Sequence, residues 1–303
     1  MSKKTVLITG CSDGGMGGAL AIAFHDAGFR VIASARNPDK LEEVKLHGIE
    51  TLILDVQSEQ SQQAALHEVS ALTGGSLDIL INNAGAGYSM PLSDASISKS
   101  KDLFDLHVWG LLSTTQAFLP LLLKSRNGGM VVNNTGIDSV FSAPFQGVYN
   151  ASKAAAAMIS ANLRIELAPF GIKVVDLKTG GVKSNFWVNA TKGDWQLPPN
   201  SLYVAARKGI ENAMKGGPYE PKSVDRHIWA KAIVKDLSKS NPSLTIWRGD
   251  ATFTIWIGTF LPLNAFDSIM KKMTGISELE GKIRSQGKEK IINDSGFLAM
   301  LRS

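Results

Sequence analysis

The turn Thr9-Gly10-Cys11-Ser12-Asp13-Gly14-Gly15-Met16-Gly17 constrains this chain more than any other segment. It follows the apolar run Thr5–Thr9 and opens a helical stretch, Gly17–Ala27. Glycines at such a place let the backbone reverse tightly. They also let a pyrophosphate approach, with its charge facing the helix N-terminus. A glycine cluster alone marks a turn; directly after a first strand it marks a phosphate-binding strand-to-helix unit.

The pattern then repeats. Apolar strand-like runs at Arg30–Ser34, Thr51–Val56, Ile79–Ile81, Met130–Asn134, Ile172–Leu177 and Leu244–Trp247 follow the first one. Helical stretches lie between them at Ser61–Thr73, Lys99–Lys124, Val148–Ala168 and Lys222–Ser238. Several of the runs are continuously apolar, as strands buried on both faces are. The expected fold is therefore α/β: a Rossmann-like, doubly wound parallel sheet of about seven strands with helices on both faces. Residues 1–248 are expected to form the dinucleotide-binding and catalytic domain, and residues 249–303 a C-terminal helical extension. Val182–Glu220, with Pro198-Pro199, Gly216-Gly217-Pro218, Trp187 and Trp195, reads as a long mobile insertion over a binding cleft.

Of 303 residues, 44% are hydrophobic, enough for one large core or two small ones. The single cysteine, Cys11, excludes an internal disulfide and points to a reducing, cytoplasmic setting. With a first strand expected from Thr5, no signal peptide is expected. The net charge of +5 is scattered. No basic stripe interleaved with aromatics is found, so nucleic acid is not an expected partner. Ala251–Leu263 is apolar but shorter than the about 20 residues a membrane span needs. A helix packed on the domain or in a dimer contact is the favoured reading. The alternative is a peripheral membrane contact through 251–273, at the endoplasmic reticulum or a lipid droplet, aided by Lys271-Lys272.

Within the glycine turn, Gly10, Ser12, Asp13, Gly15, Met16 and Gly17 are the expected cofactor contacts. The end of the second strand reads Ala33-Ser34-Ala35-Arg36, with no acid before Asp39. A carboxylate there selects a ribose 2′-hydroxyl and an arginine a 2′-phosphate, so NADP(H) is favoured over NAD(H). Asp55-Val56 is placed to meet the adenine, and Asn83-Ala84-Gly85 the ribose. Tyr149 and Lys153 stand four residues apart and so share one helix face. An ammonium beside a phenol lowers its pKa, which suits proton exchange with a substrate oxygen. No metal site is expected.

Together these features resemble the short-chain dehydrogenase/reductase family, over roughly residues 4–240. The resemblance extends to fungal acyl-dihydroxyacetone-phosphate-reductase-like members. It is carried by Pro144-Phe145-Gln146-Gly147-Val148-Tyr149-Asn150-Ala151-Ser152-Lys153, by Thr179-Gly180-Gly181-Val182-Lys183-Ser184-Asn185-Phe186 and by Ile246-Trp247-Arg248-Gly249. The resemblance implies that Tyr149 donates a proton to a substrate carbonyl. It implies that Lys153 bonds the nicotinamide ribose, and that Val182 and Ser184 hold the carboxamide. It also implies a homodimer or homotetramer.

Two departures from the family pattern stand out. The family's Asn-Val-x-Gly appears as His107-Val108-Trp109-Gly110, so His107 either takes over the asparagine's hold on a water relay or packs in its helix. The family's catalytic serine, thirteen residues before the tyrosine, is Gly136. Losing one such hydrogen-bond donor costs roughly 3–4 kcal/mol of barrier. Thr135 and Ser139 are the nearby hydroxyls, although Thr135 ends a strand and faces the wrong way if neighbours alternate. Asp138 is a further candidate, either as a turn-former or as a carboxylate for a cationic substrate.

The expected activity is NADPH-dependent reduction of a carbonyl, imine or iminium in a bulky apolar metabolite or lipid, as in a fungal biosynthetic tailoring step. An iminium would not need the missing serine. The alternative is a repurposed non-redox enzyme, an isomerase, dehydratase or cyclase, using Tyr149, His107 and Asp138 as acid–base groups.

Overall fold

A computed structural model describes residues 3–190, 195–218 and 223–298. The strands β1 (Thr5–Thr9), β2 (Arg30–Ala35), β3 (Glu50–Ile53), β4 (Ile79–Asn82), β5 (Met130–Asn134), β6 (Lys173–Thr179) and β9 (Thr245–Arg248) form one sheet in the order β3-β2-β1-β4-β5-β6-β9. Every pairing within it is parallel. A two-stranded ribbon of β7 (Val182–Lys183) and β8 (Val224–Asp225) stands apart.

The sheet is buried on both faces, and strand alternation sorts the side chains. Val6 and Ile8 of β1 face α1 (Met16–Asp26) and α9 (Arg226–Leu237), packing with Leu20, Phe24, Trp229 and Ile233. Leu7 points the other way, with Leu80 and Val131, towards α3 (Glu59–Thr73) and α5 (Gly110–Leu123), where Val69, Phe118 and Leu122 lie. Each fully buried side chain such as Phe24 or Phe118 stabilises the fold by about 1.5–3 kcal/mol.

The expected third strand ends earlier than predicted: β3 stops at Ile53, and Asp55 and Val56 lead out of the sheet. Gln57 N–H bonds Asp55 Oδ1, a turn that the short polar side chain favours over continued ladder pairing. A short helix, α2 (Glu42–Leu46), precedes β3. The long helix expected at Lys99–Lys124 is α4 (Ile97–Phe104) and α5 joined by a π-turn, Asp105–Trp109. Such π-turns gather at functional sites, and this one carries His107. The first residue of the expected Lys222–Ser238 helix lies outside the described residues; α9 begins at Arg226, capped by the Asp225 carboxylate.

The segment read as a mobile insertion has structure of its own. Its described residues hold α7 (Phe186–Ala190) and α8 (Arg207–Met214). Trp195, Leu197, Ile210 and Met214 form a small second core with Phe145, Leu279 and Ile291. Leu279 and Ile291 belong to α12 (Ile276–Gln286) and α13 (Lys288–Ser295), so the C-terminal extension packs on this segment. Two glycines let them meet: a β-carbon on Gly275 would come within 3.0 Å of the Gly209 backbone. In chain order, α10 (Thr252–Gly258) and α11 (Asp267–Met273) connect β9 to α12. Phe253, Phe260 and Leu263 are exposed there, the side chains on which a surface contact through 251–273 rests.

Candidate active site

The carboxyl ends of β1, β4, β5 and β6 converge where the strand order reverses between β1 and β4. In open parallel sheets ligands bind at that crevice.

At the end of β1, Gly10 has φ 74°, and a β-carbon on it would lie 2.7 Å from Ala84 Cα. One on Gly17 would lie 2.4 Å from Gly10 O and 2.6 Å from Asn83 Nδ2, and one on Gly15 2.7 Å from Ser12 O. Close backbone packing is thus what these glycines provide. Gly15 caps α1 without a side-chain bond, and Ala19 N–H is bonded back to Gly15 O. The first-turn amides of Met16, Gly17 and Gly18 precede that bond, the position at which a helix N-terminus takes an anion. The amides of Asp13 and Gly14 are committed elsewhere, to Lys40 O and to Glu43 Oε2. The Asp13 carboxylate accepts from Glu43 N–H, so its side chain braces α2. Asn185, from the loop after β7, closes over the turn through Gly14 O and Asp13 O.

Asn83 ties the crevice together. Its Nδ2 donates to Thr9 O (3.0 Å) and Gly10 O (3.3 Å), and its Oδ1 accepts from Asn134 Nδ2 (3.1 Å). Thr9 Oγ1 accepts from the amides of Asn83 and Ala84. Arg36 is exposed immediately after β2, at the rim. Val56 and Ala84 line the crevice with Lys153 and His107. Val182 packs on the core from β7, and Ser184 Oγ receives the Phe186 amide.

Tyr149 and Lys153 lie on α6 (Gly147–Leu167). Lys153 Nζ lies 5.8 Å from the Tyr149 ring centre and donates to Asn134 O at 3.0 Å. Burial pushes its ammonium down to about 8, against the pull of the Asp138 and Asp176 carboxylates. The phenol corrects the expectation. Burial, aided by the Asp138 carboxylate, drives the Tyr149 pKa well above its ordinary value rather than lowering it. Tyr149 is a group that holds its proton. An aromatic run, Tyr149–Phe186–Trp187–Trp195, leads from it edge to face, with ring centres 5.8, 5.2 and 6.3 Å apart.

His107 is wired at both nitrogens. Ala86 N–H donates to Nε2 at 3.1 Å, and Nδ1 lies 2.9 Å from Ser152 Oγ. The Ser152 hydrogen goes to Tyr149 O, so Nδ1 is the donor and the ring is neutral. Burial and the Lys153 charge hold its pKa well below the usual histidine value. No ring nitrogen is left for a water. His107 is thus a packed brace between the β4 loop and α6.

Ser139 is likewise turned away from the role expected of it. Its hydroxyl donates to Gly136 O (2.6 Å) and accepts from Lys178 Nζ (2.6 Å), so its one hydrogen is spent inside the turn. Thr135 donates to the Asp176 carboxylate. Neither hydroxyl replaces the serine. The Asp138 carboxylate lies at the Gly136 corner, 3.6 Å from where a β-carbon on that glycine would stand, and its charge bears on both Lys153 and Tyr149. Burial pushes it up to about 6, with Lys153 pulling the other way.

The buried pair Asp176–Lys178 escaped sequence reasoning. Its signal was present: two charges at i and i+2, hence on one face, in an otherwise apolar strand run.

The short chain dehydrogenase family matches residues 4–195. A short-chain dehydrogenase/reductase of Pestalotiopsis microspora, GME11361, is 47% identical over 284 residues, covering 93% of this chain and 98% of that protein. The NADPH-dependent 1-acyldihydroxyacetone phosphate reductase of Schizosaccharomyces pombe is 36% identical, over 88% of this chain and 92% of that protein. Among solved structures, a short-chain dehydrogenase from Streptomyces avermitilis superposes with a TM-score of 0.73 at 29% identity, covering 92% of this chain and 98% of that one. The chain belongs to the short-chain dehydrogenase family.

Proposed function

We propose that this chain is an NADP(H)-dependent oxidoreductase that reduces a C=O or C=N bond in a bulky apolar metabolite or lipid, in the manner of a biosynthetic tailoring step. The observation that supports the reading is that Lys153, 5.8 Å from the Tyr149 ring centre, lines one crevice with Thr9 and Ala84, next to a turn whose Gly10, Gly15 and Gly17 leave no room for a β-carbon. Two further facts support the cofactor. Arg36, not an acid, follows β2, and the Schizosaccharomyces pombe relative is NADPH-dependent by name.

The residues present fit such a dinucleotide. Met16, Gly17 and Gly18 amides would take the pyrophosphate, Arg36 the 2′-phosphate, Asp55 and Val56 the adenine side, and Lys153 the ribose. When bound, NADPH supplies the hydride. The chain's own contribution is placement and proton control. Tyr149, held protonated, donates to the reacting heteroatom where a proton is needed. Lys153, fixed by Asn134 O, keeps positive charge next to the phenol. Phe186 and Trp187, backed by the buried Trp195, offer an aromatic surface that suits a large apolar substrate.

The test is fluorescence titration with NADPH and NADH, followed by a panel of ketones, imines and lipids. Tighter binding of NADPH, with turnover lost in Tyr149→Phe while binding is kept, is the expected result. Product formed without cofactor consumption would instead point to a non-redox use of the cleft.

A further inference from the structure

The corner of the site at Gly136 is rebuilt around a carboxylate. Gly136 has φ 72° and ψ 166°, a conformation closed to a serine without strain. Its Cα–H directions nevertheless open onto space. A β-carbon there would have Thr179 O at 3.5 Å, Asp138 Oδ2 at 3.6 Å and Asp138 N at 3.9 Å as its nearest neighbours, all at ordinary contact distance. One carboxylate oxygen of Asp138 thus reaches the neighbourhood that a hydroxyl on residue 136 would occupy. The same carboxylate acts on both Lys153 and Tyr149.

Asp138 is presented by a clamped turn. Ser139 Oγ closes the turn onto Gly136 O and is gripped by Lys178 Nζ, both at 2.6 Å. Lys178 also bonds Thr135 Oγ1 at 3.1 Å and Asp176 at 2.8 Å. Lys178 is 4% exposed, so this grip is internal. Asp138 is the ionisable residue of the Gly136–Ser139 turn, and its charge bears on Tyr149 and Lys153.

An ionised carboxylate has acceptors only. A ketone oxygen is also an acceptor, and it gains negative charge as it is reduced; facing a carboxylate, it gains no hydrogen bond and meets a like charge. A protonated imine nitrogen is a donor and a cation, and a neighbouring carboxylate keeps it protonated. We propose that Asp138 determines specificity by accepting the N–H of a protonated imine, so that the substrate class is a bulky apolar imine reduced to an amine. This rests on the oxidoreductase reading above. The step balances without a proton donor: one hydride, drawn from NADPH, adds to the iminium carbon, and the C=N π pair becomes the nitrogen lone pair. The products are the amine and NADP⁺.

The full chain and its Asp138→Asn variant test this by calorimetry. The probes are 1,2,3,4-tetrahydroisoquinoline, a cationic amine at neutral pH, and 2-tetralone, a neutral acceptor of similar shape. A charge-assisted hydrogen bond predicts that wild type binds the amine ~10–100-fold more tightly than the ketone, and that Asp138→Asn weakens the amine alone by at least ~10-fold. In turnover, 3,4-dihydroisoquinoline should be the better substrate than 2-tetralone in wild type and lose that advantage in the variant. Equal binding of both probes to wild type overturns the proposal, and that comparison needs no variant to fold. So does an equal loss for both probes in Asp138→Asn. NADPH fluorescence titrated in the same samples separates the two readings. Absence of NADPH binding overturns the oxidoreductase reading, while NADPH binding without an amine preference overturns the role of Asp138 alone.

Discussion

Lys178 Nζ lies 2.8 Å from Asp176 Oδ2, two residues away on the same face of β6, and both bond the end of β5 and the turn that follows it, at Thr135 and Ser139. Lys178 has three donors and uses them on Asp176, Thr135 and Ser139. Desolvation of the ammonium is thus met by a full set of acceptors.

Removing only one member of that pair leaves a charge unmatched. Lys178→Met is expected to destabilise the fold by roughly 3 kcal/mol, read as a lower urea midpoint at unchanged slope. The double variant Lys178→Met/Asp176→Leu should recover most of that loss, because an apolar pair of similar volume carries no desolvation cost.

The acid limb of stability should carry two opposed slopes. The folded pKa of Asp138, about 6, lies above its ordinary 3.8, so the folded state holds a proton that the unfolded chain has released. Stability from this group is full below pH 3.8 and falls as pH rises to about 6, by roughly 2–3 kcal/mol in total. His107 works the other way. Its folded pKa lies well below 6.5, so its contribution is full above pH 6.5 and falls as pH drops below it. Thermal midpoints from pH 4 to 7 should therefore rise more steeply with pH in Asp138→Asn than in wild type. In His107→Gln they should rise less, or fall.

Much of this was legible in the residues. The strand runs, the glycine turn and Tyr149-x-x-x-Lys153 each carry a local period or a local shape requirement, and the sheet and the crevice follow from them. The π-turn at Asp105–Trp109 was not legible, because its extra residue is a single phase slip that a mostly apolar stretch on its C-terminal side does not display. Nor was the fate of the hydroxyls. Whether Ser139 faces substrate or Lys178 depends on a lysine 39 residues downstream. The direction of the Tyr149 shift failed for a related reason: a neighbouring ammonium was visible in sequence, whereas burial and the Asp138 carboxylate were not.

A serine at position 136 should not supply a working oxyanion donor. At Gly136 the positive φ disfavours any L side chain, at a cost of roughly 1–3 kcal/mol. Gly136→Ser and Gly136→Ala should lose stability to a similar degree in urea titrations. Gly136→Ser should also fall short of the about 100- to 1,000-fold gain in ketone kcat that a well-placed oxyanion donor supplies. A gain of that size would show that the Asp138 carboxylate does not occupy the corner.

The glycine cradle and the Lys153 anchor should fail together, because one asparagine joins them. A methyl on Gly17 would press on Asn83 Nδ2 at 2.6 Å and on Gly10 O at 2.4 Å. Asn83 holds Gly10 through that nitrogen and Asn134 through its oxygen, and the carbonyl of Asn134 receives Lys153 Nζ. Gly17→Ala is therefore expected to weaken NADPH binding at least ~10-fold and to cost ~1–3 kcal/mol of stability through the displaced, part-buried hydrogen bonds. It should also shift the pH dependence of turnover, since Lys153 loses its anchor. Gly281→Ala in α12 is the matched control. Nothing lies within 4 Å of the added methyl, so it should bind NADPH as wild type does and be up to ~1 kcal/mol more stable, as alanine is the better helix former. If Gly17→Ala lowered cofactor affinity but left the Lys153-dependent pH profile where it was, the Asn83–Asn134 link would be a bystander.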